Sequence, residues 1–154
     1  MSYRTLLVLG GTGFIGQALV GRLAERGCRV IVPTRQIVAN LKQRYPEVPI
    51  IGFPRGAGTE LQPYLDAVPI DAVGLDWMTE LNFARDYIQP LRTIQGNLDP
   101  LVLLAGGAAL DRATDAILEA FGRYPFIFNL GHGILPDTPI SHVEQLIARV
   151  RNHV

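Results

Sequence analysis

The sequence predicts an α/β protein whose six strands form one parallel sheet. Three observations favour this class: short apolar runs alternate with helical patterns, most runs are apolar throughout, and the connecting segments are short. Alternation with helices is typical of parallel sheets, and strands buried on both faces lack polar residues at every second position. The six runs cover residues 6–9, 30–33, 50–53, 72–75, 93–95 and 126–130.

Helical patterns with one apolar face follow the strands, and local signals predict several helix ends. Tyr45-Pro46 ends the second helix, because the residue before a proline avoids the helical region. Thr59 is the predicted N-cap of the third helix. Ser141 and Glu144 have the spacing of a capping box and predict the start of the last helix. The apolar faces lie at residues 15–23, 37–41, 61–68, 81–91, 113–121 and 143–150.

Composition limits the classes of protein that this chain could represent. Its 154 residues suit a single domain over 1–154 and fall short of the roughly 200 that a full (β/α)8 barrel needs. Its 14 basic and 14 acidic residues argue against a nucleic-acid partner. The sequence has no run of about 18 apolar residues, so no membrane span is predicted. The single cysteine, Cys28, cannot form an intrachain disulfide, so we expect a cytoplasmic protein.

Polar or glycine-rich segments follow the predicted strands. In a parallel sheet such segments share the edge at which ligands gather, so we expect one ligand-binding edge. The segments are residues 10–16, Arg35, Arg55, Asp76-Trp77, 95–99 and 129–133.

Residues 10–16, GGTGFIG, stand between a predicted strand and a predicted helix. Glycines permit a tight turn and a close approach of the backbone to phosphate, while the helix start offers free N–H groups. Arg35 suits a 2′-phosphate, which makes NADP the candidate ligand. This segment resembles the N-terminal βαβ unit of atypical short-chain dehydrogenase/reductases and epimerase-like proteins. The predicted cofactor-binding residues are Gly10, Gly11, Thr12, Gly13, Phe14, Ile15, Gly16 and Arg35.

The catalytic pair that this first resemblance implies, Tyr-x-x-x-Lys, has no match in the chain. The only lysine is Lys42, and the residue four positions before it is Val38. An NADP-dependent reductase would therefore lack its catalyst and stays only a second alternative.

Four later segments carry a different resemblance: VPIIGFPRGAG, DAVGLDW, IQGNLDP and FIFNLGHGILPDTP. In this order they resemble the C-terminal half of uroporphyrinogen decarboxylase, over residues 36–154. The resemblance implies the last four strands of a (β/α)8 barrel and places His132 in the porphyrinogen pocket. It also places residues 76–77 and 95–100 at the ends of two barrel strands, with Arg55 in an earlier loop.

The same resemblance assigns the family's essential aspartate and carboxylate-binding arginines to its N-terminal half, and no residues here match those motifs. His132 could then be a proton donor, a ligand contact or a turn residue satisfied by the backbone. Asp76 and Asp99 could form a carboxylate pair, or each could cap a loop or helix. Gln95 and Asn97 are interpreted as ties between backbone groups. No metal site is predicted, because no second ligand stands at a suitable spacing.

Two resemblances in one chain predict a recombined or engineered chimera, with a βαβ segment at residues 1–35 joined to a half-barrel segment at 36–154. Because neither segment carries its family's full catalytic set, we expect a scaffold without native activity, not an enzyme. No cofactor is required, and the glycine loop could retain weak affinity for NADP, phosphate or another small anion. The alternatives are a uroporphyrinogen decarboxylase-like or porphyrin-binding protein and an NADP-dependent reductase.

Six parallel strands cannot close an eight-stranded barrel. The favoured architecture is therefore a doubly wound three-layer sandwich, Rossmann- or flavodoxin-like, with strand order 2-1-3-4-5-6. The alternative is a half (β/α)8 barrel that dimerises and so covers its apolar concave face. We accordingly expect a monomer or a homodimer.

Overall fold

The computed structural model describes residues 5–7, 22, 25, 29–31 and 35–153, with side chains at 22, 25 and 38–153. The chain divides into two compact units, Met1–Val73 and Gly74–Val154. A single domain over 1–154 stays a prediction. No helix in the described part of the chain is both long and apolar enough to cross a membrane.

The first unit alternates strands and helices, as the apolar pattern predicts. Arg22 and Glu25 are also helical. A 3-10 turn at Gly58–Glu60 leads into the helix that begins at Leu61. The labelled elements are β1 (Thr5–Leu7), β2 (Arg29–Ile31), α1 (Arg35–Arg44), β3 (Ile50–Gly52), α2 (Leu61–Ala67) and β4 (Ala72–Gly74), whose last residue begins the second unit.

Four parallel strands in the first unit follow the order of the chain. β1 pairs with β2, β2 pairs with β3, and β3 pairs with β4, all in parallel. The predicted parallel α/β class is therefore confirmed. The predicted order 2-1-3-4-5-6 is wrong, because β2 lies between β1 and β3. A doubly wound sheet reverses direction beside its first strand, whereas successive pairing is the connectivity of a (β/α) barrel.

Asp71 fastens α1 to the start of β3 and β4. Its carboxylate accepts a hydrogen bond from the Ile50 amide at 2.6 Å and forms an ion pair with Lys42 at 2.7 Å. Lys42 also donates to the carbonyl of Val48 at 3.1 Å. The only lysine of the chain is thus bound within this structural cluster. β3 is buried along its whole length, as its apolar sequence predicts.

The ends of the helices in this unit agree with the sequence only in part. α1 ends at Arg44, immediately before Tyr45-Pro46, as predicted. The predicted N-cap at Thr59 is wrong. Thr59 lies inside the 3-10 turn, and α2 has Glu60 at its N-cap with no side-chain hydrogen bond. The turn itself supplies the entry to α2, so no capping side chain is needed.

The second unit contains the remaining strands and helices. β5 and β6 pair in parallel, with Asn97 opposite Asn129. The amide of Leu75, just after β4, donates to the carbonyl of Gln95 at 2.7 Å, so this segment runs beside β5. The elements are α3 (Leu81–Phe83), which continues as a π-helical turn at Ala84–Ile88, β5 (Thr93–Leu98), α4 (Pro100–Ala105), α5 (Gly107–Phe121), β6 (Phe126–Leu130) and α6 (Ile140–Asn152).

The start of α6 differs from the predicted capping box. α6 begins at Ile140 with Pro139 at its N-cap and no capping side chain. The carbonyl of Pro139 accepts from the amides of His142 and Val143, which makes the first turn. Ser141 therefore already lies inside the helix, and the box prediction is wrong.

Three side chains at helical spacing on α6 bind the helices that precede β6. Nδ1 of His142 lies 3.2 and 3.1 Å from the carbonyl oxygens of Leu103 and Leu104. Gln145 exchanges hydrogen bonds with the backbone of Gly107, and Arg149 forms a paired hydrogen bond with Asp115. These contacts hold α6 against α4 and α5.

Candidate functional site

The carboxyl ends of β5 and β6 and the segment after β4 come together in the second unit. The amide of Gly131 donates to the carbonyl of Leu98 at 2.8 Å, which joins the ends of β6 and β5. Leu75 is joined to β5 by its hydrogen bond to Gln95. The residues that follow these strands therefore share one edge, which we call the carboxyl edge (residues 76–79, 97–101 and 129–134).

Asp76 organises a turn at the carboxyl edge. One carboxylate oxygen accepts hydrogen bonds from the Met78 amide and the Thr79 hydroxyl, both at 3.1 Å. The amide of Thr79 also donates to the carbonyl of Asp76 at 3.1 Å. Only 7% of Asp76 is exposed. This geometry supports the interpretation of Asp76 as a loop cap, a role in which Asp is favoured.

Asn97, the fifth residue of β5, ties this turn to the strand. Its Nδ2 donates to the carbonyl oxygens of Asp76 and Thr79, at 3.2 and 2.8 Å. Only 4% of the residue is exposed. The predicted role of Asn97 as a backbone tie agrees with this geometry. Gln95 contributes its backbone carbonyl to the edge, through the bond from Leu75.

Asp99 belongs to a different local structure. It is the N-cap of α4, and its carboxylate accepts from the Leu101 amide at 2.8 Å, with Pro100 in the first helical position. Asp99 therefore caps a helix while Asp76 caps a loop, as one of the two sequence interpretations predicts.

Two glycines permit the close approach of the strand ends. A Cβ atom on Gly131 would stand 2.8 Å from both the Cα of Trp77 and the carbonyl carbon of Asp76. Gly96 has a φ of +144°, and its Cβ would stand 2.8 Å from the carbonyl oxygen of Leu75. Larger residues at these positions would push the loops apart.

Trp77 and His132 meet at the carboxyl edge. Their ring centroids are 5.6 Å apart with an interplanar angle of 83°, an edge-on contact. His132 is exposed and Trp77 is partly buried. The imidazole is thus presented to solvent while the indole supports it from one side. An exposed imidazole of this kind can meet a ligand.

Sequence reasoning placed these two residues on one edge but did not pair them. Gly131 permits the pairing, because its lack of a side chain lets the loop before His132 reach the backbone of Trp77. A glycine in the sequence does not show which backbone approaches it.

Large apolar side chains are also exposed at this edge. Met78, Leu101 and Ile134 follow β4, β5 and β6, and they are 78%, 61% and 53% exposed. These side chains offer apolar surface that an apolar or planar ligand would cover.

The other predicted site residues lie outside the second unit. Residues 10–16 lie outside the described residues, and so does the side chain of Arg35, the first residue of α1. Arg55 is exposed in the loop after β3 of the first unit. Among the described residues, no group of three or more His, Cys, Asp or Glu side chains could hold a metal ion.

Strands in chain order and a polar carboxyl edge define the class, an α/β protein with barrel-type connectivity. The fold is similar to that of a methyltransferase from Methanosarcina mazei, with a TM-score of 0.62 and 18% identity. That similarity covers 86% of this chain and 44% of the methyltransferase, and it concerns the fold alone.

The family model of uroporphyrinogen decarboxylase matches residues 28–153. The chain belongs to the uroporphyrinogen decarboxylase family. The uroporphyrinogen decarboxylase of Rhizorhabdus wittichii is 56% identical over 133 residues, which cover 85% of this chain and 39% of that protein. The corresponding protein of Sphingopyxis alaskensis is 54% identical over 122 residues, which cover 79% of this chain and 36% of that protein. The chain thus spans somewhat more than a third of the length of these relatives.

The family assignment confirms the decarboxylase resemblance and corrects the chimera hypothesis. The match begins at residue 28, upstream of the junction predicted at residues 35 and 36, so the second strand belongs with the decarboxylase segment. The hypothesis of an engineered scaffold without activity is therefore wrong. The expectation that the protein is not an enzyme is wrong as well, because its relatives carry the name of a decarboxylase. The Rossmann-type, NADP-binding interpretation and the reductase alternative receive no support from these relatives.

Proposed function

We propose that the carboxyl edge of the second unit forms part of a tetrapyrrole site of the decarboxylase type, in which His132 touches the substrate. One observation carries this proposal. An exposed imidazole, supported edge-on by Trp77, lies at the ends of parallel strands inside the segment that matches the family. Such strand ends are where (β/α) barrels place their reacting groups.

The chemistry of decarboxylation gives His132 a specific task. The bond between the carboxylate and its carbon breaks, CO2 leaves, and the electron pair left on that carbon takes up a proton. A residue near that carbon must hold or deliver the proton. Histidine suits this role because it exchanges protons in the physiological pH range. The step balances without an oxidant or reductant, so we expect no redox cofactor.

Apolar groups at the carboxyl edge would supply contacts for a macrocycle bound beside His132. Trp77 offers an indole wall, and Met78 and Ile134 leave large apolar side chains exposed at the same edge. The resemblance assigns the essential aspartate and the arginines to a part of the family that this chain does not match. The proposal therefore gives this chain a share of the site and not every group in it.

An anaerobic turnover assay tests the proposed function. The protein is incubated with uroporphyrinogen, and the products are oxidised and separated by their number of carboxylates. Because the family's aspartate and arginines are unmatched in this chain, we expect only slow formation of products with fewer carboxylates. His132→Ala should lower that rate by a further factor of about 10²–10⁴, the range of a general acid. His153→Ala is the matched control, because His153 is exposed and follows the last turn of α6. No product from the unmodified protein, or equal rates for His132→Ala, would contradict the proposal.

A second candidate is a porphyrin-binding protein without turnover. The exposed apolar groups at the carboxyl edge favour it, since they would hold a macrocycle whether or not His132 acts on it. Saturable binding with no product in the turnover assay distinguishes this candidate from the decarboxylase.

Three further expectations stay predictions. Binding of phosphate or another small anion by residues 10–16 falls outside the described residues. The oligomeric state, monomer or homodimer, and the cytoplasmic location likewise await measurement.

A further inference from the structure

We propose that Asn97 is a positioning residue for His132, acting through the turn at residues 76–79 and through Trp77. The proposal deepens the decarboxylase function and rests on it. Asn97 does not belong to the exposed surface that would meet a ligand, since it is almost fully buried. Its effect on His132 must therefore pass through the groups that it holds.

The donor side of the Asn97 amide defines its orientation. Nδ2 lies within hydrogen-bond distance of two carbonyl oxygens, those of Asp76 and Thr79. Carbonyl oxygens only accept hydrogen bonds, so the NH2 group and not Oδ1 must face them. The two bonds hold both ends of the four-residue turn that contains Trp77.

The turn then determines where the indole ring lies. Trp77 follows Asp76 directly, and its backbone is approached so closely by Gly131 that a side chain on Gly131 would collide with it. His132 follows Gly131 in the chain, and its ring meets the indole edge-on. A shift of the turn would therefore move Trp77 away from His132.

The acceptor side of the same amide makes no comparable contact. Oδ1 of Asn97 is buried and has no hydrogen-bond partner among the described residues. A buried acceptor without a partner carries a desolvation cost. Only the NH2 group of Asn97 is therefore satisfied, and its contribution to the fold comes from the two bonds to the turn.

The neighbouring strand supplies a matched control. Asn129 stands opposite Asn97 in the parallel register of β5 and β6, but it is exposed. Its Oδ1 accepts from the amide of Leu130 at 2.8 Å, a bond that a carboxylate can also accept. Asn129→Asp keeps this bond, whereas Asn97→Asp replaces the donor group by a second acceptor and removes both ties to the turn.

Fluorescence tests the proposal without relying on catalysis. Trp77 is the only tryptophan, so the emission of the protein reports on its surroundings. We expect His132→Ala to change the emission of the unmodified protein and of Asn129→Asp alike. In Asn97→Asp the same substitution should change nothing, because the ring contact is already lost. An unchanged effect of His132→Ala in folded Asn97→Asp would overturn the proposal.

A second measurement covers the case in which Asn97→Asp does not fold. In the unmodified protein, hydrogen exchange of side-chain amides can be followed by NMR. The Asn97 NH2 protons should exchange slowly because they are buried and bonded, and those of exposed Asn129 should exchange fast. Equally fast exchange at both positions would overturn the proposal.

Turnover separates this proposal from the proposed function. If the protein decarboxylates uroporphyrinogen, folded Asn97→Asp should lower kcat by a larger factor than it raises KM. His132 loses its support, and Trp77 and Met78 move with the turn, whereas Leu101 and Ile134 keep their places. An unchanged kcat would contradict the role of Asn97. If the unmodified protein shows no turnover, the decarboxylase function fails, and the fluorescence and exchange results alone decide whether Asn97 holds Trp77 against His132.

Discussion

Individual donors, acceptors and missing side chains shape the carboxyl edge at the scale of the residue. Asp76 and Asn97 bind backbone groups, as their residue types predict, because short polar side chains compete for nearby N–H and C=O groups. The pairing of Trp77 with His132 could not be predicted. It depends on how closely two loops approach, and sequence patterns carry no signal for distances between residues more than fifty positions apart.

The two glycines that flank His132 allow a prediction with an internal control. Gly131→Ala should lower the free energy of unfolding by about 1–3 kcal/mol, because the new Cβ meets the backbone of Trp77 and the loops must move. Gly133→Ala has no atom within 4 Å of the new Cβ and should change stability far less. Denaturant unfolding monitored by circular dichroism measures both. Equal stability of the two variants would show that the loops are not in close contact.

At the scale of the element, apolar pattern predicted where strands and helices lie, and local chemistry decided where they end. Buried strands such as β3 can be predicted because a run of apolar residues indicates burial on both faces. The first residues of helices are harder to predict. Thr59 and Ser141 have capping side chains, but a 3-10 turn and Pro139 already supply the entry to each helix. Several residues can start a helix, and the tertiary setting chooses among them.

The contact between α6 and α5 predicts a dependence of stability on pH. The hydrogen bond from Arg149 holds the pKa of Asp115 below its usual value, with a smaller contribution from their charge attraction. The folded pKa is therefore below the unfolded value of about 3.9. The stabilisation is complete above that value and is lost as the pH falls through the folded pKa.

Asp115→Asn should therefore lower the melting temperature at neutral pH, and the difference from the unmodified protein should shrink as the pH drops below about 4. Asp137→Asn is the control, because this carboxylate is exposed and makes no hydrogen bond to other described residues. A melting-temperature difference that is the same at pH 7 and at pH 3 would contradict the role of the ion pair.

At the scale of the whole molecule, the sequence predicted the parallel α/β class and the decarboxylase resemblance correctly. The predicted strand order and the predicted chimeric origin of the chain are wrong. Apolar strands look alike whether they pair in order or around a switch point, since both arrangements bury them. The glycine-rich segment at residues 10–16 resembles a phosphate loop in residue type and in its place between a predicted strand and a predicted helix. This likeness favours the chimera hypothesis, which the family match from residue 28 overturns.

The order of the strands can be tested directly in solution. In a parallel sheet, protons of neighbouring backbones are close enough to give nuclear Overhauser effects. We expect such contacts between Leu6 and Val30 and between Ile31 and Ile51, as the register requires. Contacts between β1 and β3 are not expected. Their presence would restore the order 2-1-3 and contradict the barrel-type connectivity.

The central claim is that the carboxyl edge of the second unit binds a tetrapyrrole beside His132. A titration with uroporphyrin, the oxidised macrocycle, tests it most directly, with the emission of Trp77 as the signal. The porphyrin absorbs where indole emits, so a ring bound at this edge should quench Trp77 saturably, and His132→Ala should weaken the binding while His153→Ala should not. Quenching that never saturates, or saturation that is identical in all three proteins, would contradict the claim.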